Sequence, residues 1–151
     1  MKTSQDPRHQ ARRIALSVIY AVENTKGLDY SKVNIDLIET VLSNLEIENY
    51  DKKLCQEIID NVSNRSESYK DIISQNSKDW EVSKIYKIDL SILLVAISEL
   101  YKEQVPMKVV VDEAVELAKE FGEADSAKFI NGVLAGVIKY INIKSTNEPN
   151  T

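Results

Sequence analysis

Residues 111–134 have the sequence VDEAVELAKEFGEADSAKFINGVL, which carries a strong helical pattern. Its apolar residues recur at intervals of three and four, the spacing that lines one face of an α-helix. Gly122 ends the first pattern at a position favoured for a helix C-cap. Asp125 or Ser126 can then cap the next helix by accepting a hydrogen bond from a backbone N–H. The stretch predicts two amphipathic helices that meet at a short turn.

The same spacing continues outward through most of the chain. Pro7 suits the first turn of an initial helix. The run from Leu90 to Ile97 is apolar nearly all round, which indicates a central buried helix. Glycine and proline together number only seven in 151 residues, which favours long helices over many short strands. Besides the first helix and the two of the opening stretch, helices are predicted over about 33–45, 51–64, 69–73 and 82–102.

We therefore expect an all-α domain of about seven helices over residues 1–143. Residues 144–151 are polar and lack an apolar period, which predicts a disordered tail. The lone Cys55 cannot form an intramolecular disulfide and is expected to be a small buried hydrophobe, and Trp80 is expected in the core. The chain shows neither a signal segment nor an apolar run long enough to span a bilayer, so we expect a cytoplasmic protein.

Catalytic chemistry has little support in the residues. One histidine and one cysteine cannot build a Cys/His metal cluster, and neither a Walker A loop nor a dinucleotide fingerprint occurs. We expect no enzyme activity, no metal and no cofactor. The predicted helix before Gly122 carries four acids: Asp112, Glu113, Glu116 and Glu120. A solvated helix face explains these acids better than a metal or acid/base cluster does. A third interpretation is a docking surface for a basic protein.

The charge is unevenly distributed along the chain. The net charge is −5, yet residues 1–20 carry four cations against the single acid Asp6, a local charge of +3. On a helical wheel, one face of the first helix lies opposite the apolar stripe and is expected to face solvent; it carries His9, Arg12, Arg13, Leu16 and Tyr20. Two interpretations stay open. The cations are ordinary solvated residues, or they bind phosphates while Tyr20 stacks on an unpaired RNA base.

Several motifs resemble the NusB family of bacterial transcription antitermination factors. The most specific are Asp112–Ala118 and Asp125–Leu134. The others are the first helix with Arg8-His9-Gln10-Ala11-Arg12-Arg13 and Tyr20, then Ile88-Asp89-Leu90, and Val105-Pro106. This resemblance implies an all-helical fold of two packed three-helix bundles and a function without catalysis.

The resemblance also implies a function on RNA. Proteins of this family bind the single-stranded boxA element of nascent ribosomal RNA leader transcripts together with the small ribosomal protein NusE. The pair joins an antitermination complex on RNA polymerase and supports processive transcription of ribosomal RNA operons. The implied RNA-binding residues are Arg8, His9, Arg12, Arg13, Tyr20, Lys128 and Phe129. The implied partner-binding residues are Asp89, Glu99 and Asp125.

One departure from the family pattern leaves a second function open. Where the family commonly has a tight arginine run, this chain has His9 and Gln10. Losing two phosphate contacts should flatten the salt dependence of single-strand binding by about 1.4 units. The alternative is a helical protein-interaction module with the same fold and weak or no RNA binding. NusB-like domains also occur in ribosomal RNA cytosine methyltransferases, but we expect no methylation by this chain alone.

Overall fold

The computed structural model describes residues 6–77 and 81–147. Within these ranges the secondary structure is entirely helical, as expected from the sequence. Two short 3₁₀ turns lie at Tyr30–Lys32 and Val82–Lys84. The six α-helices of the described residues are α1 Pro7–Asn24, α2 Ile35–Leu45, α3 Lys52–Asn76, α4 Lys87–Lys102, α5 Met107–Phe121 and α6 Ser126–Asn147.

The helices form two packed bundles, α1–α3 and α4–α6, that share one apolar core. Helix α4 is the structural axis, because it contacts α1, α3, α5 and α6. Every residue from Asp89 to Leu100 is buried, which matches the all-round apolar pattern. Cys55 belongs to the same core, and burial raises the pKa of its thiol to about 12. That thiol therefore stays protonated at neutral pH and acts as a small hydrophobe.

Side-chain caps define the starts of the first three helices. Asp6 accepts a hydrogen bond from the backbone N–H of Arg8 at 3.0 Å, directly before Pro7. Asn34 and Asp51 cap α2 and α3 in the same way, each at 3.0 Å. Each cap is worth about 1 kcal/mol. The starts predicted from Pro7 and from the apolar spacing lie within two residues of the observed ones, although these three caps were not among the predictions.

The prediction of separate helices at 51–64 and 69–73 is wrong, since α3 is continuous from Lys52 to Asn76. Its polar middle, residues 63–68, contains no glycine or proline to end the helix. Val62 and Tyr69 are buried on either side, and Ser66 is half-buried between them. This spacing of four and three residues keeps one face of α3 on the core across the polar stretch.

Two predicted boundaries also differ from the structure. Helix α4 begins at Lys87 rather than near Val82, because Val82–Lys84 forms a 3₁₀ turn instead. Helix α6 continues to Asn147, so the disordered tail predicted from residue 144 is wrong for residues 144–147. Residues 148–151 and Trp80 lie outside the described residues. No helix in the described ranges has the length and hydropathy needed to cross a membrane.

The turn between α5 and α6 places the start of α6 against the end of α5. Gly122 caps α5 as predicted, but its backbone is extended, with φ −90°, rather than left-handed. A Cβ at Gly122 would lie 2.6 Å from Cβ of Ser126 and 2.7 Å from the carbonyl oxygen of Ala118. Close packing therefore requires glycine here. The backbone N–H of Glu123 donates to Ser126 Oγ at 2.9 Å, which closes the turn.

Candidate nucleic-acid interface

The predicted solvent face of α1 is only partly exposed. Arg8 is exposed, and Arg13 and Tyr20 are half-buried. The expectation of exposure is wrong for His9, Arg12 and Leu16, which are buried. The reason is tertiary packing, since α4 contacts α1 and carboxylates of α5 also reach it. A helical wheel for α1 alone cannot show that a second set of helices covers its polar side.

Arg12 forms a buried ion pair across the two bundles. Its Nε donates to Glu99 Oε2 at 2.8 Å and its Nη2 donates to Glu99 Oε1 at 2.9 Å. Its Nη1 lies 3.6 Å from Glu113 Oε2. The Arg12 side chain is 2% exposed, so its donors serve the protein interior rather than solvent. This bidentate geometry fixes α1 against α4.

His9 lies between two carboxylates of α5. Its Nδ1 is 3.0 Å from Glu113 Oε2, and its Nε2 is 3.1 Å from Glu120 Oε1. Both ring nitrogens therefore face carboxylate oxygens of α5. His9 therefore joins Arg12 in holding α1 to the second bundle.

Arg13 is the cation that links this network to the surface. Its Nε donates to Glu120 Oε2 at 2.7 Å and its Nη1 donates to Gln10 Oε1 at 2.7 Å. The guanidinium also lies 5.7 Å from the ring centroid of Phe121, a cation–π arrangement. Its orientation is thus set before any ligand arrives, and its half-exposed position leaves part of its charge open to solvent.

The solvated-face interpretation of the α5 acids is wrong for Glu113, which is buried. Asp112 and Glu116 are exposed, as expected. The pattern did contain a signal for Glu113, because it lies one turn from both Val110 and Leu117 on the apolar face. An acid within such a face needs a buried partner. In the part of the chain that the structure describes, no group of three His, Cys, Asp or Glu residues could hold a metal ion.

A second surface lies where α4 and α6 begin. Asp89, Asp125 and Phe129 line a groove of about 470 Å³, together with Lys84 and Tyr86. The structure therefore brings together two predicted partner-binding residues and one predicted RNA-binding residue. Tyr86 is 65% exposed and was missed by sequence reasoning, because the helix predicted from residue 82 placed it inside a helix rather than directly before one.

Asp89 is the chemically unusual group of this groove. It is 4% exposed, and its Oδ1 has no hydrogen-bond partner within the described residues. Burial raises the pKa of its carboxyl, against an opposing hydrogen bond from Ser126 and with a smaller raising effect from Glu123. A buried carboxylate oxygen without a hydrogen-bond partner raises the free energy of the ionised form, in keeping with the raised pKa.

The remaining predicted residues lie apart from one another. Lys128 is exposed on the first turn of α6, close in sequence to the groove. Glu99 is buried and engaged by Arg12, ten residues along α4 from Asp89, a separation of about 15 Å. Glu99 and Asp89 therefore do not share one surface. Tyr20 lies twelve residues along α1 from Arg8, about 18 Å away.

The chain is similar to known proteins along nearly its whole length. The model of the NusB family matches residues 9–139. The transcription antitermination protein NusB of Finegoldia magna is 40% identical over 133 residues, which cover 87% of this chain and 93% of that protein.

Solved structures show the same fold. The structure of T. maritima NusB has a TM-score of 0.72 at 27% identity and covers 92% of this chain and 93% of its own. A chain in the crystal structure of antitermination factors NusB and NusE in complex with dsRNA has a TM-score of 0.73 at 21% identity. The match covers 87% of this chain and 96% of that chain. The family match runs from α1 into α6 and includes every predicted site residue except Arg8, so the chain belongs to the NusB family.

Proposed function

We propose that this protein is a transcription antitermination factor that binds the single-stranded boxA element of nascent ribosomal RNA leader transcripts together with the ribosomal protein NusE. In this role it supports processive transcription of ribosomal RNA operons by RNA polymerase, in the cytoplasm and without catalysis. The observation that carries the proposal is the family match over residues 9–139, which spans both candidate surfaces. A relative named as an antitermination protein is matched over 93% of its length.

The RNA contacts are assigned by exposure. Arg8 and Lys128 are exposed and can each pair with a phosphate. Arg13 is half-exposed and already oriented by Glu120. Tyr20 and Phe129 are half-buried rings that can stack on unpaired bases. His9 and Arg12 are positioning residues of the same face, because their buried contacts with Glu113 and Glu99 hold α1 against α5 and α4.

The partner surface is assigned to the groove at the start of α4 and α6. Asp125 is exposed at its rim, and the buried Asp89 lies in its lining. Tyr86 adds an exposed ring, the kind of residue that often anchors protein interfaces. A basic protein surface complements these acids on a chain of net charge −5. Glu99 does not line this groove, because it is buried ten residues further along α4 and paired with Arg12.

A direct test is the titration of a fluorescently labelled boxA RNA with the protein at several salt concentrations. Arg8→Ala is expected to weaken binding and to reduce the salt slope by about 0.7, since one phosphate contact is lost. Tyr20→Ala is expected to weaken binding by at least about five-fold, the effect of losing one stacking ring. Lys108→Ala is the matched control, because Lys108 is an exposed cation on α5 that pairs with Asp112. Equal effects of all three substitutions would contradict the assignment.

The burial of Arg12 favours one second candidate. With Arg12 paired to Glu99, fewer cations of α1 face solvent than the sequence pattern suggested. A helical protein-interaction module that binds NusE but not RNA fits that observation. NusE binding by the wild type with no measurable boxA binding would favour this module over the antitermination factor.

A further inference from the structure

A second groove lies on the side of the molecule formed by α3 and the C-terminal ends of α4 and α6. Its volume is about 700 Å³. Along α3 it extends from Asn61 to Gln75, a length of about 20 Å. None of the residues predicted to bind RNA or NusE lines it.

Three tyrosines form the aromatic part of this groove. Tyr69 of α3 and Tyr101 of α4 stack with their ring centroids 5.9 Å apart and their planes at 10°. Tyr69 is 3% exposed, whereas Tyr101 is 43% exposed. Tyr69 thus supports one face of the Tyr101 ring while the rest of that ring remains open to the groove. Tyr140 of α6 adds a third ring, half-buried in the same wall.

Cations surround the rings. Arg65, Lys102 and Lys144 line the groove, and Asp71 is the only acid that does so among the described residues. The lining therefore carries a net positive charge on a chain whose net charge is −5. Lys144 Nζ lies 5.6 Å from the Tyr140 centroid, and Lys102 Nζ lies 3.9 Å from Glu57 Oε2. Arg65 is exposed one helical turn from Tyr69.

This combination matches the chemistry of single-stranded nucleic acid. Aromatic rings stack on bases, and surrounding cations follow the phosphates. A groove of about 20 Å accommodates five or six stacked nucleotides at about 3.4 Å each. A purely acidic ligand would pair with the cations but leave the rings without a partner, and a purely apolar ligand would contact the rings but leave the cations without one.

The groove also connects with the predicted RNA-binding face. A narrow cleft lies between Arg8 and the groove, and it is lined by Asn61, Ser98 and Lys102, which line the groove as well. Arg8 and the groove therefore lie on neighbouring parts of the same side of the molecule.

From these observations we infer that the groove on α3, α4 and α6 is a second binding site for single-stranded RNA, which takes nucleotides flanking the element bound at α1. Tyr101 stacks on a base, and Arg65 and Lys102 contact phosphates. The identity of the RNA as boxA with its flanks depends on the proposed function. The presence of a binding site for single-stranded RNA in this groove does not depend on the proposed function.

The test compares two labelled RNAs, boxA alone and boxA extended by about six unpaired nucleotides on each side. Tyr101→Ala is expected to weaken binding of the extended RNA by at least about five-fold and to leave boxA alone unchanged. Arg65→Ala is expected to reduce the salt slope by about 0.7 for the extended RNA only. Tyr101→Phe, which keeps the ring, is the matched control and should bind like the wild type. Thermal unfolding of each variant verifies that it folds.

The outcomes separate the two proposals. Equal effects of Tyr101→Ala on both RNAs, or no effect on either, would overturn the second site. Failure of the wild type to bind boxA alone, with Tyr101-dependent binding of the extended RNA, would reject boxA recognition and keep the second site. A third arm adds adenosine monophosphate as competitor. Full displacement of RNA from the groove by the free nucleotide would overturn a polymer site in favour of a nucleotide pocket.

Discussion

At the scale of single residues, Arg12 shows that a helical pattern can place a residue on the correct face of its helix and still predict exposure where the residue is buried. Its position on the basic face of α1 is readable from the sequence, and so is its distance from the apolar stripe. Its partner Glu99 lies 87 residues further along the chain, and no local pattern links the two. Glu113 is the one acid of this network whose burial the sequence pattern indicates, because it interrupts the apolar face of α5.

Replacing Arg12 should therefore affect stability first. We expect Arg12→Ala to lower the free energy of unfolding by about 3–5 kcal/mol, because Glu99 is left buried without its partner. Urea-induced unfolding measures the change. Arg8→Ala is the control, since Arg8 is exposed and its loss should change stability by less than about 0.5 kcal/mol. Two variants of equal stability would show that the Arg12–Glu99 pair does not anchor α1.

The raised pKa of Asp89 predicts a pH dependence of defined sign. A carboxyl whose pKa is higher in the folded protein than in the unfolded chain binds more protons when folded, so it adds stability as the pH falls. We expect the stability of the wild type relative to Asp89→Asn to rise as the pH is lowered from 7 toward 3.8, the ordinary pKa of aspartate. Urea unfolding of both proteins at pH 7 and pH 4 tests this. A constant difference, or one of opposite sign, would contradict it.

At the scale of helices, prediction succeeded where the signal is local. The caps Asp6, Asn34 and Asp51 and the stop at Gly122 are short-range features, and the corresponding ends are close to the predicted ones. It failed where continuity depends on packing. The polar middle of α3 looks like a break in the sequence but remains helical, because flanking residues keep one face on the core.

The continuity of α3 is testable at Glu67, which lies in the predicted break and is exposed. Glu67→Pro should destabilise the protein by about 3 kcal/mol or more, since proline removes a helical hydrogen bond and clashes with the preceding turn. Glu67→Ala should have little effect, because its only described ion pair, with Lys70, is a 3.6 Å surface contact. Urea unfolding compares them, and similar stabilities would indicate a loop at this position.

At the scale of the whole molecule, the sequence identified the fold and the basic end but not the arrangement of the surfaces. The groove with Asp89, Asp125 and Phe129 and the groove with Tyr69, Tyr101 and Tyr140 each combine residues from distant parts of the chain. Their assembly depends on the packing of α4 against four other helices. Periodicity within one helix carries no information about that packing.

The proposed function requires that this protein binds boxA RNA and NusE as one assembly. Its most direct test is the dissociation constant of NusE for this protein, measured with and without saturating boxA RNA by isothermal titration calorimetry. Because Phe129, a predicted RNA contact, lies in the same groove as Asp89 and Asp125, bound RNA should tighten NusE binding. NusE should then tighten RNA binding by the same factor, because coupling between sites is reciprocal. A NusE affinity that is identical with and without RNA would contradict the account.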